Sequence, residues 1–229
     1  MAPIAKKSST FRTARRATRE MLGLTKSEFL TLQRLDSPKK IKAFLYGLQQ
    51  NFELKGETCH SVRVVLRERR AHCIEGALVA ACALWIHGEP PLLLDLQSVH
   101  DFDHVVALYR RNGFWGALSK TNGAVLRSRD PVYRSLRELS LSWLHEYGNK
   151  RNERTLRNYS VPFDLRRVKP EVWVTAEKGA WPLVDYLEDA RHYPLVPRRH
   201  LGNLSRWDPM ERQAGDLRQY RKPPLRKKK

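Results

Sequence analysis

The chain has 229 residues, with 43 Lys and Arg against 24 Asp and Glu, and a formal net charge of +19. A hydrophobic fraction of 41% with 29% charged residues is ordinary for a globular domain, and the longest apolar run, Leu78 to Ile86, is far too short for a membrane span. The basic start has no apolar segment behind it, which argues against a secretory signal, and three cysteines do not make a disulfide framework. A cytoplasmic protein with no membrane partner is the expectation.

Much of the positive charge lies at the ends, from Lys6 to Arg19 and from Arg218 to Lys229. Such tails bind polyanions without sequence preference, so non-specific polyanion binding is one expected partner class. No RNA-recognition signature, zinc-finger spacing or glycine-rich phosphate loop accompanies them.

In chain order, residues 1–23 read as a basic N-terminal arm, partly helical from Thr13 to Leu22. Thr25-Lys26-Ser27-Glu28 is a capping box opening a short helix to about Leu35. Ser37-Pro38 opens a second helix to about Gln50, with Ile41, Phe44, Leu45 and Leu48 on one face. Ser61 caps a third, Val62 to Arg69, so the front third of the chain reads as helical. The next helix begins at Cys73 and carries Ile74, Ala77, Leu78, Ala81, Leu84 and Trp85 on one broad face. Gly88 and Pro90-Pro91 stop it.

The period then changes. Leu92 to Leu96 is a continuous apolar run suited to a strand covered on both faces, and Asp103 to Tyr109 is another strand. Asn112-Gly113 signals a tight hairpin returning through Phe114 to Ser119, with a polar loop to Gly123. Asp130-Pro131 reads as the start of an amphipathic helix to about Tyr147, with Val132, Leu136, Leu139 and Trp143 inward. Arg157–Leu165 and Glu171–Thr175 read as edge strands, Trp181–Asp189 as a short helix. Residues 201–229 read as a loosely attached basic tail. One domain over residues 24–200 lies between arm and tail.

A thiol at the first turn of a helix meets unpaired N–H groups and the positive end of the dipole. Arg69, Arg70 and His72 precede it. All of these favour thiolate, the nucleophilic form. Cys82, among alanines inside the helix, reads as core packing. Cys59-His60 and His72-Cys73 match no standard zinc spacing.

The ordered combination is recognisable. A cysteine opens a helix with small residues at regular spacing (Cys73-Ile74-Glu75-Gly76-Ala77, then Ala81), followed by a turn at His87-Gly88 and a strand at Leu92–Leu96. A histidine then opens the next strand in Asp103-His104-Val105-Val106-Ala107-Leu108-Tyr109. Over roughly residues 36–147 this resembles the transglutaminase-like superfamily, a branch of the papain-like fold. The resemblance implies an α+β domain with N-terminal helices packed on an antiparallel sheet. It also implies a Cys73–His104 pair that transfers acyl groups through a Cys73 thioester, acting on a protein, peptide or small amide substrate with no metal or organic cofactor. The sequence departs from the family in having Ala71 where a glycine usually stands, and in lacking an aspartate after Trp115. Ser119, Lys120, Thr121 and Asn122 follow instead. The third residue, which holds the imidazole tautomer by accepting from its second N–H, is expected to be Asn122 through its carbonyl, with Asp130 the alternative and Ser119 or no such group the remaining ones.

Overall fold

The computed structural model describes residues 14–224. It is a mixed helical and antiparallel-sheet protein. Short helices α1 (Arg19–Leu22), α2 (Lys26–Gln33) and α3 (Pro38–Gly47) come first. Thr25 and Glu28 close the capping box of α2 in both directions, at 3.2 and 2.7 Å. Strand β1 (Gln49–Gln50) then pairs in parallel with β2 (Arg70–Ala71), on either side of a loop and α4 (Val62–Glu68), whose cap is Ser61. The front of the chain is thus less continuously helical than its pattern implies, because α3 stops at Gly47 and residues 51–60 form loops.

Helix α5 (Cys73–Ile86) is the centre of the fold. Every residue from Ile74 to Ile86 is buried, so the helix has no solvent face at all, where the sequence pattern implies one broad apolar face. Alanine, glycine and cysteine let neighbours approach from every side. A Cβ on Gly76 would lie 2.4 Å from the Cβ of Lys120.

The strands follow as β3 (Leu92–Ser98), β4 (His104–Arg111), β5 (Phe114–Leu118) and β6 (Arg129–Tyr133). After α6 (Leu136–Leu141) come β7 (Leu156–Ser160) and β8 (Phe163–Asp164), then α7 (Pro170–Trp173), α8 (Pro182–Glu188), β9 (His192–Pro194) and α9 (Pro209–Asp216). The main sheet is antiparallel in the order β6-β5-β4-β3-β7-β9, with β8 also paired to β3. Asn112 and Gly113 both take positive φ, 50° and 87°, as a tight two-residue hairpin demands. Leu93, Val105 and Ala107 pack towards α5, while Leu92, Leu94, Leu96, Val106 and Leu108 pack with Leu139, Trp143 and Tyr147 on the other face. Burial on both faces explains the unbroken apolar run at Leu92–Leu96.

Several expectations are corrected. Asp130-Pro131 does not open a helix to Tyr147. Residues 129–133 form the edge strand β6, which tolerates Pro131, and the helix starts only after its true cap, Ser135. Leu139 and Trp143 are buried as expected, but Val132 is exposed. Glu171–Thr175 is not a strand, since Pro170 starts α7. Within 157–165, β7 is interior, flanked by β3 and β9.

The ends also differ from a free arm and a loose tail. Residues 1–13 and 225–229 lie outside the described residues. From Ala14 on, however, the arm is stitched to the end of α5 through Ala14 N–H to Gly88 O (2.9 Å) and Trp85 Nε1–H to Arg15 O (3.1 Å), and its helix begins only at Arg19. Beyond Leu201, Trp207 is buried with its indole N–H on His145 O at 3.0 Å. Gly148 and Gly215 give its ring room, since a Cβ on either would come within 2.4 Å of it. The backbone of Gln219 donates to Asn122 O, and Tyr220 exchanges two hydrogen bonds with the Asn122 side chain.

Candidate active site

Cys73 is the first residue of α5 and lies half-buried on a cleft of about 680 Å³, beside His72, His104, Tyr147, Phe102 and Trp181. His104 opens β4 opposite Leu96, and only 6% of it is exposed. His72 Nδ1 lies 4.0 Å from Cys73 Sγ, and His104 lines the same cleft. Burial alone would push this thiol up. The hydrogen bonds and charges of the two rings outweigh it and hold Cys73 well below the ordinary thiol value.

His104 Nε2 lies 2.8 Å from Ser119 Oγ. The Ser119 hydroxyl donates its own hydrogen to Leu126 O at 2.6 Å. Its oxygen is therefore the acceptor for His104, which fixes the proton on Nε2 and leaves Nδ1 for sulfur. The Leu126 carbonyl is aimed by an unusual backbone, a leucine at φ 59°, whose N–H is held by Glu146 at 2.7 Å. Glu146 is in turn clasped by Arg129 at 2.5 Å. A left-handed leucine costs about 1–2 kcal/mol, and this ion pair helps to hold it.

Of the three candidates for the third residue, the structure brings only Ser119 to His104. Asn122 borders the cleft, but its amide group is engaged with Tyr220, donating at 2.9 Å and accepting at 2.8 Å. Asp130 is exposed on edge strand β6. Ser119 escapes the usual motif because a hydroxyl has no charge. It can serve only because Leu126 O takes its hydrogen.

On the other side of Cys73, His72 caps α5, with Nδ1 4.0 Å from Cys73 Sγ. Its Nε2 faces Thr58 O at 2.9 Å, Glu75 Oε1 at 3.3 Å and Glu53 Oε1 at 3.7 Å. Burial opposes charge on this ring. Its hydrogen bond to Cys73, and the charges of Cys73 and Glu75, raise it to about 9. Glu75 is fully buried and accepts from Asn51 Nδ2 on both oxygens (3.1 and 3.0 Å), Thr58 Oγ1 (2.9 Å), His60 N–H (2.8 Å) and His72 N–H (2.9 Å). The acid at the third helical position, reaching back to the cap, is a capping-box pattern, and that spacing is the signal by which Glu75 is legible in the sequence.

Lys120 is the other residue the motif passes over. It is buried, donates to Leu48 O at 2.6 Å, and lies 5.3 Å from the centre of the Tyr220 ring. Burial, then the nearby Arg127 charge, pulls it down to about 8. Cys59 is buried and pushed up to about 12 by that burial and by Glu75, and Cys82 is pushed up by burial alone. Neither shares the environment of Cys73.

Among the described residues no group of three or more His, Cys, Asp or Glu is arranged to hold a metal ion, and no helix is long and apolar enough to cross a membrane. Comparison with protein-family models and with curated proteins gave no match.

Proposed function

We propose that this is a papain-like, transglutaminase-like cysteine enzyme that transfers acyl groups from amide or peptide bonds, with hydrolysis the preferred outcome. The observation that carries the reading is the placing, on one cleft, of a half-buried thiol at the first turn of α5 and an imidazole whose tautomer is fixed by a third group. The Cys73 thiolate attacks the amide carbonyl and forms the C–S bond. The oxyanion is received by backbone N–H groups at the start of α5, which have no carbonyl partner one turn earlier. The C–N bond then breaks, and the leaving nitrogen takes a proton from an imidazolium of the site. Water, giving a proton to His104, attacks the thioester. The C–S bond breaks and the thiolate is restored. With an amine in place of water the product is a new amide. Protein, peptide or small amide substrates fit the cleft volume, and the three free thiols suit a cytoplasmic setting.

The test is intact-mass detection of an acyl adduct after acid quench, using a pool of fluorogenic peptide amides. The adduct is expected in wild type, absent in Cys73→Ala, and cleared by hydroxylamine. No adduct and no amine release from any peptide amide, with or without a primary-amine acceptor, would overturn the reading.

A second reading, a catalytically inactive binding module of the same fold that uses its basic tails to hold nucleic acid or an acidic partner, is favoured by the net charge. Its signature is polyanion affinity that falls steeply with salt and survives Cys73→Ala.

A further inference from the structure

Cys73 has two imidazoles, and they are built alike up to a point. Each carries its proton on Nε2, because in each ring that nitrogen faces an oxygen that cannot donate to it. For His104 the oxygen is Ser119 Oγ, whose hydrogen is already committed to Leu126 O. For His72 the neighbours are Thr58 O and carboxylate oxygens of Glu75 and Glu53. Each ring therefore keeps Nδ1 free of that proton; the Nδ1 of His72 lies 4.0 Å from Cys73 Sγ, and His104 lines the same cleft.

The two differ in what stands behind them. The chain behind His104 ends in a hydroxyl and a carbonyl, both neutral. Behind His72 is a buried carboxylate whose two oxygens are filled by donors, so that the carboxylate form is the one that fits. A neutral chain holds a tautomer, but a buried carboxylate also stabilises a positive charge, and more strongly in a dry setting than in water. A proton leaving Cys73 is therefore more stable on His72 than on His104.

We propose that the resting ion pair of the site is Cys73 thiolate with His72 imidazolium, backed by Glu75, and that His104 is left as the uncharged base. The proposal rests on the acyl-transfer reading only for the task given to His104. The step is the passage of one proton from Cys73 Sγ to His72 Nδ1, with no other bond changed. The charged or titratable groups facing His72 are Cys73 and Glu75 on α5 and Glu53 on the preceding loop, with His60 beyond Glu75 at 3.2 Å. This placement also accounts for the missing aspartate. An imidazole that does not carry the resting charge has no need of a carboxylate behind it, and Ser119 suffices to hold its tautomer.

The experiment is the pH dependence of Cys73 alkylation by iodoacetamide, followed by mass spectrometry of the Cys73 peptide, in wild type, His104→Ala, His72→Asn and the double variant. Asparagine is a preferred helix cap and does not titrate, so His72→Asn keeps the start of α5, and a thermal melt near that of wild type checks this. The expected wild-type midpoint lies well below about 8.5, the free-thiol value. His104→Ala should leave the midpoint still depressed, whereas His72→Asn should raise it by at least one pH unit and the double variant should reach the free value. If His104→Ala alone restores the free value while His72→Asn leaves the profile unmoved, the proposal is overturned and the acyl-transfer reading stands. A wild-type midpoint at the free value overturns the ion pair itself. A depressed midpoint that depends on His72, without acyl adduct from any peptide amide, supports the ion pair and removes the acyl-transfer reading.

Discussion

Ser119 Oγ accepts from His104 Nε2 at 2.8 Å and passes its own hydrogen to Leu126 O at 2.6 Å, so a single buried hydroxyl orients the imidazole. Ser119→Ala leaves that N–H and the Leu126 carbonyl without partners in a dry site. Peptide-amide turnover should fall on the order of 10- to 100-fold, the equivalent of about 1–3 kcal/mol. Because His72 is untouched, the alkylation midpoint of Cys73 should hardly move. A midpoint that rises in parallel with the loss of turnover would show that Ser119 supports the thiolate itself.

Asn122 and Asp130 make the complementary case. Asn122→Ala removes both hydrogen bonds to Tyr220 and should expose the segment around Tyr220 to limited proteolysis. The alkylation profile should be that of wild type for both Asn122→Ala and Asp130→Asn. A profile altered by either would reinstate that residue as a partner of His104.

Gly76 is where α5 and Lys120 touch. Gly76→Ala would place its Cβ 2.4 Å from that of Lys120, a backbone-anchored atom that cannot swing aside. The expected loss is about 1–3 kcal/mol, read as a lower urea midpoint with an unchanged slope.

Lys120 gives the chain a pH signature. Its folded value of about 8 lies below that of an unfolded lysine, near 10.4, so between these pH values the unfolded chain binds more protons. Stability therefore rises with pH across that window by an amount on the order of 3 kcal/mol, and below pH 8 the buried charge is a burden. Lys120→Met should abolish that rise and be at least as stable as wild type at pH 7, measured by urea denaturation at several pH values. A wild-type curve that is flat or falling relative to Lys120→Met from pH 8 to 10 would contradict it.

Trp207 tests whether the segment beyond Leu201 is part of the fold, since a buried aromatic ring contributes about 150–250 Å² of covered surface. Its ring fills the space left by Gly148 and Gly215, and its N–H reaches His145 O. Trp207→Ala should cost about 3–5 kcal/mol, seen as a lowered melting temperature. A free tail would show no change.

The sequence carries the α5 helix, the β4–β5 hairpin and the caps Thr25, Ser37 and Ser61 in strong local signals, and the structure has each of them. It misleads at Asp130-Pro131, where a cap-like pair with proline precedes apolar residues at helical spacing. The pairing of Trp115 with Tyr133 and Ala117 with Arg129 takes these residues into the sheet instead. Tertiary pairing there outweighs a local preference worth a fraction of a kcal/mol per residue. The site divides in the same way. Cys73 and His104 stand in a readable order. The partner of Ser119, however, is a carbonyl aimed by the left-handed Leu126, and the donors to Glu75 come from Asn51, Thr58 and His60, brought in by loops with no periodic signature. The docking of Trp207 is hidden for the same reason, since a tryptophan in a basic, proline-rich stretch reveals nothing of the two distant glycines that make room for it.

Helix α5 has no face towards water, and only its first residue reaches the cleft. A sulfur mounted on a loop can drift to meet what approaches it. This one is fixed to a helix buried on every side from Ile74 to Ile86 and inherits the positional tolerance of the core. Whatever reacts with Cys73 must do the fitting, and the parts free to help are the rim groups that are not packed, such as Phe102 with 90% of its surface exposed. Amide exchange should accordingly be slowest along the hydrogen-bonded stretch of α5 from Gly76 to Ile86. Any change that loosens this helix would blunt the site well before the protein unfolds.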